Sequence, residues 1–124
     1  MRYVKIKGKE YPYKCTLGAL ADLQEKYGSM IAFEQKIKHT EDTGEGKKAL
    51  MPEPGALWDG MLAMLREGIR IEGAETEPTA LMDVIDEEYT IFEICHMVAE
   101  EFDRCFAVKN QKTTQGKKKS GTDA

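Results

Sequence analysis

The stretch LGALADLQEKYGSMIAFEQKIK, residues 17–38, restricts this chain more than any other. Leu17, Leu20, Leu23 and Tyr27 recur at helical spacing with Ala21 beside them, while Asp22, Gln24, Glu25 and Lys26 fall mostly on the other side. The stripe stops at Gly28 and restarts after Ser29 with Met30, Phe33 and Ile37. Thr16 suits the N-cap of a helix over 17–27, and Gly28 suits the left-handed position that ends many helices. Ser29 can then cap a second helix over 30–38. The sharp break reads as the corner of a core, not as a site of chemistry.

Around that corner the spacing predicts an α+β domain, mainly helical, over residues 1–108. Residues 2–15 alternate as a β-hairpin. Gly8-Lys9 suits a type II′ turn, setting Lys7 opposite Glu10, Ile6 opposite Tyr11 and Val4 opposite Tyr13. Val4, Ile6, Tyr11 and Tyr13 then share one apolar face, and Pro12 marks an edge strand. A lone hairpin is marginal in water, so it must lie on the helices.

Residues 39–54, with glycines, prolines and mixed charge, read as a long exposed loop. A third helix is expected over 55–67, with Leu57, Trp58, Met61, Leu62 and Leu65 inward and Gly68 as its stop. Residues 69–76 suggest a short extended piece. Thr76 suits the cap of a fourth helix over 77–86, facing inward through Leu81, Val84 and Ile85. Thr90 and Glu93 fit a capping box opening a last helix over 91–108. Its stripe is Ile91, Ile94, Val98, Phe102 and Phe106, with Cys95 and Cys105 beside it and Glu100, Glu101, Asp103 and Arg104 on or near the wet side. Residues 109–124 carry no apolar pattern and are expected to be disordered.

Charge is divided unevenly: −8 over residues 1–108 and +4 over 109–124, where five lysines meet one aspartate. An acidic body argues against nucleic acid as the main partner. The opening MRYVKIKGKE lacks the apolar core of a signal peptide, and no apolar run nears the roughly 20 residues that span a bilayer, so a cytoplasmic location is expected.

Chemistry is not evident. Cys15, Cys95 and Cys105 are an odd number without CxxC spacing, which favours free thiols over a disulfide framework or a zinc site. His39 and His96 lack metal-ligand spacing; Glu93 and His96 form a single ExxH pair where a di-iron bundle needs two. No phosphate-loop, dinucleotide or nucleophile-elbow motif is present. No cofactor, metal or catalytic residue is expected. Asp83, Asp86, Glu87 and Glu88 read as a solvated acidic face that can attract a basic partner. Six methionines follow the first residue, and methionine builds adaptable contact surfaces. Ordinary core filling is the commoner use of methionine, and two contact surfaces stay open: the hairpin edge, or the third and last helices, where Trp58, Met61, Met64, Met97, Phe102 and Phe106 are the candidate partner-binding residues.

The element order and the pattern T-L-x-A-L-x-x-L-x-x-x-Y-G-S, here Thr16, Leu17, Ala19, Leu20, Leu23, Tyr27, Gly28 and Ser29, resemble the tail assembly chaperones of long-tailed bacteriophages and of prophages of Gram-positive bacteria. Met64, Leu65, Glu67 and Gly68 loosely match that family's L-L-x-E-G. The resemblance covers about residues 3–108 and rests on packing motifs. It implies a non-enzymatic protein that binds the tape measure protein, helps recruit tail tube subunits through a longer frameshifted form, and is absent from the mature virion. Self-association is compatible with it. Two other readings stay open: a structural tail-completion or connector protein, and a small regulatory or nucleic-acid-binding protein using the lysine-rich end.

Overall fold

A computed structural model describes residues 1–38, 40–43, 46–49 and 51–107, the two short inner segments as backbone. The architecture is an N-terminal antiparallel hairpin, β1 (Arg2–Ile6) and β2 (Lys9–Tyr13), laid on five helices. These are α1 (Leu17–Tyr27), α2 (Met30–Ile37), α3 (Pro54–Glu72), α4 (Pro78–Ile85) and α5 (Ile91–Cys105). The α+β class expected from the sequence is what the fold shows. The expected disorder of 109–124, and His39, lie outside the described residues.

The corner at 27–30 forms as its residues dictate. Thr16 Oγ1 accepts the Ala19 N–H at 3.1 Å, and Ser29 Oγ accepts the Ala32 N–H at 3.0 Å. Gly28 has φ +88° and donates its N–H to Gln24 O, a backbone shape that side-chain-bearing residues rarely adopt. Leu23, Phe33 and Ile37 are buried as expected, but Leu17 is 84% exposed. As the first residue of α1 it precedes the stretch of helix that meets α3, and Ala19 takes the inner position instead.

The hairpin differs from expectation in register. Its turn is Lys7-Gly8, both at positive φ (53° and 81°), as in a type I′ turn, so Val4 faces Tyr11 and Arg2 faces Tyr13. The shift is two residues, so the predicted face survives: Val4, Ile6 and Tyr13 are buried and Tyr11 half-buried. Contacts beyond the hairpin fix the turn. Glu88 Oε2 accepts the Lys7 N–H at 2.6 Å, Glu87 pairs with Lys7 Nζ at 2.6 Å, and Tyr89 donates its hydroxyl to Lys5 O at 2.7 Å.

The expected loop 39–54 contains a second hairpin, β3 (Thr40–Thr43) with β4 (Gly46–Ala49), in a register that sets Glu41 opposite Lys48 and Asp42 opposite Lys47.

Helix α3 is longer than expected. It passes through Gly68 and ends at Gly73, which is left-handed; residues 69–72 are helical, not extended. Gly68 is a crossing point: a Cβ there would lie 2.3 Å from Pro12 O and 2.7 Å from Tyr13 N. The bare helix backbone lets β2 pass directly over it, and Lys14 N–H donates to Met64 O at 3.0 Å. Helix α4 starts at Pro78 after Glu77, with no side-chain cap; Thr76 does not cap it. Helix α5 has the expected capping box, Thr90 with Glu93, but ends at Cys105.

One core joins these elements, from Val4 and Ile6 through Leu23, Phe33, Met61, Met64 and Leu65 to Val98 and Phe102. A chain of tilted rings crosses it, with centroids 5.5 Å apart for Tyr27–Phe33, 5.4 Å for Phe33–Phe102 and 5.0 Å for Phe102–Phe106.

Candidate interaction surface

The six candidate contact residues divide in two. Met61, Met64 and Phe102 are core side chains out of reach of a partner. Methionine and aromatic character drew attention to them, and the same character fills the core that holds the fold together. Trp58 (39% exposed), Phe106 (55% exposed) and the half-buried Met97 remain at the surface. They do not converge: Trp58 lies on the wall of one groove, Met97 beside Phe92 and His96 in a second depression, and Phe106 near Met30 and Ile31.

The groove at Trp58 has a volume of about 220 Å³ and a mostly apolar lining. It runs between α3, α4 and α5. Leu57 and Trp58 form one side; Met82 and Ile85 of α4 with Ile91 and Ile94 of α5 form the other, and Asp86 stands at its edge. Phe92 is 58% exposed and lines the separate depression beside Met97. The periodicity marked Ile91 and Ile94 as core; Ile91 is half-buried because the first turn of α5 overhangs the groove rather than closing it.

The acidic residues in and after α4 do two things. Glu87 and Glu88 anchor the hairpin turn through Lys7. The carboxylates of Asp83 and Asp86 are exposed and have no hydrogen-bond or ion-pair partner among the described residues.

Glu101 was expected near the wet side and is instead buried. Its Oε2 accepts the Cys15 N–H at 2.8 Å and Arg104 Nε at 2.9 Å; its Oε1 accepts Arg2 Nε at 3.0 Å. Burial alone would raise its pKa, but the hydrogen bonds from Arg104 and Cys15 and the two guanidinium charges hold it below the ordinary carboxylate value. Arg104 Nη2 also donates to Cys15 O at 2.9 Å, so both backbone groups of Cys15 are held from α5. This is a structural clamp. Local spacing could not show it, because the partners lie at opposite ends of the domain.

All three cysteines are free thiols. Burial pushes the Cys15 thiol up, with Cys105 adding in the same direction. His96 reaches Glu100 at 2.9 Å on the exposed side of α5. Among the described residues no group of three or more His, Cys, Asp or Glu side chains is placed to hold a metal ion. No helix among them is long and apolar enough to cross a membrane. No protein-family model, curated protein or solved structure matches the chain.

Proposed function

We propose that this protein is a non-enzymatic assembly chaperone of a phage or prophage tail, working in the bacterial cytoplasm, absent from the finished particle, and acting by holding the tape measure protein and helping recruit tail tube subunits. The observation that carries this reading is the open apolar groove between α3, α4 and α5 with Trp58 at its side. Concave apolar surfaces with an aromatic edge suit helix-in-groove binding. The likeness of Thr16–Ser29 to the tail assembly chaperones supplies the identity of the partner. A long helical protein awaiting assembly exposes apolar stripes that aggregate, and a small acidic protein seated on such a stripe keeps it soluble.

The test is co-expression with a tape measure protein from the same genome, recognised as a very long coiled-coil chain. A soluble complex that survives purification is expected; separate elution of the two proteins overturns the proposal. Mass spectrometry of purified particles separates it from a tail-completion or connector role, since detection of this chain at stoichiometric level favours the latter.

A further inference from the structure

Residues 71–103 contain eleven aspartates and glutamates and no lysine or arginine. This segment supplies α4, the turn after it and most of α5, and so builds one whole side of the groove. Some of its carboxylates are engaged: Glu87 and Glu88 by Lys7, Glu93 by the cap of α5, Glu101 by its clamp. Asp83 and Asp86 are not engaged by any described residue, and Asp86 stands at the groove itself. An apolar floor beside uncompensated negative charge favours an occupant carrying both apolar side chains and positive charge.

We propose that the groove takes an amphipathic helix of a partner protein, its apolar side chains entering between Trp58 and Ile91 and its lysines or arginines directed to Asp83 and Asp86. This rests on the chaperone reading above and adds the chemistry of the segment that is held. Other occupants fit less well. A second copy brings a body of charge −8 over residues 1–108 against an already acidic face. The lysine-rich residues 109–124 bring charge, but their sequence has no apolar side chain before Ala124.

Trp58 is the only tryptophan, so its emission reports from the groove. The probe is a synthetic helix of about 18 residues, five turns, with leucines at three-to-four-residue spacing and lysines elsewhere. Its twin has glutamate for every lysine. The lysine peptide is expected to bind saturably and shift Trp58 emission to the blue, and the glutamate twin to bind at least about tenfold more weakly. Asp83→Asn with Asp86→Asn should weaken the lysine peptide by about fivefold or more and flatten its salt dependence. Glu25→Gln on α1 should change neither, and circular dichroism checks that each variant keeps its fold.

Equal binding of the two peptides overturns the proposal. So does binding that the double variant leaves unaltered. Two further outcomes separate the site from the function. If the double variant and Trp58→Ala co-purify with the tape measure protein as well as the unaltered chain does, the groove is not the site and the chaperone reading stands. If the lysine peptide binds as expected but no complex with that protein forms, the surface stands and the chaperone reading falls.

Discussion

Glu101 accepts a hydrogen bond from Arg2 Nε at 3.0 Å across 99 residues of sequence, and its carboxylate is 1% exposed. A second guanidinium, Arg104, and the Cys15 N–H complete its shell. Buried carboxylates are costly alone and stable only when so surrounded. Glu101→Gln keeps the size but sets an NH₂ group against donors. We expect a loss of about 2 kcal/mol, read in urea unfolding, and a fall of roughly 10 °C in Tm. Unchanged stability would show that the clamp contributes little.

The same carboxylate gives a pH dependence of defined sign. Its folded pKa lies below the ordinary value, so the unfolded chain binds more protons in the window between the two. Its stabilisation is complete above the unfolded carboxylate value, about 4.3, and is lost as pH falls through the folded one. Glu67, lowered by hydrogen bonds from Arg70 and Thr16, acts in the same direction. Urea midpoints between neutral pH and pH 3 should fall more steeply for the unaltered chain than for Glu101→Gln. Parallel curves would refute the assignment.

At Gly68 the expected cost is steric. Gly68→Ala puts a methyl 2.3 Å from Pro12 O, and backbone cannot turn aside as a side chain can. We expect a loss of about 3 kcal/mol or failure to fold. Gly55→Ala, also in α3 but with open space at its Cβ, should instead gain about 0.5–1 kcal/mol from helix propensity. The contrast between two glycine-to-alanine changes in one helix, measured by thermal denaturation, checks the crossing.

Gly28 has open space around it, so its cost is conformational only. Gly28→Val should lose about 1–3 kcal/mol through a strained positive φ. A Tm equal to that of the unaltered chain would contradict the corner geometry.

Cys15 is buried and its thiol is held protonated by that burial. With a thiol-reactive disulfide reagent, Cys15 should label only at the rate of unfolding, after the half-buried Cys95 and Cys105. Peptide mass spectrometry over a time course gives the order; early labelling of Cys15 would show that the hairpin lifts away from α5.

Elements with local signatures were legible in the sequence. Thr16, Ser29 and the Thr90–Glu93 box mark where their helices begin, because caps involve neighbours only; the end of α5, at Cys105 and not 108, has no such mark. The misses share a long-range cause. Leu57, Met61, Leu65 and Ile69 keep a four-residue spacing straight through Gly68, but a glycine that ends a helix and one that is crossed look alike until β2 is in place. The hairpin register depended on Glu87 and Glu88, some 80 residues from Lys7. The candidate contact residues are methionines and aromatics of the third and last helices, and side chains of that kind fill a core as readily as they meet a partner; Met61, Met64 and Phe102 are core. The groove depends on how α4 and the first turn of α5 fail to close on α3, a tertiary relation with no local mark.

The clamp at Glu101 also sets an order of events during synthesis. Arg2 and Cys15 leave the ribosome early and find their carboxylate only after α5 has been made. Until then the hairpin lacks its ties to α5 through Arg2 and Cys15, although α3 is already available beneath β2. The tie between hairpin and α5 therefore closes late in synthesis, because it waits on a side chain added 99 residues after Arg2.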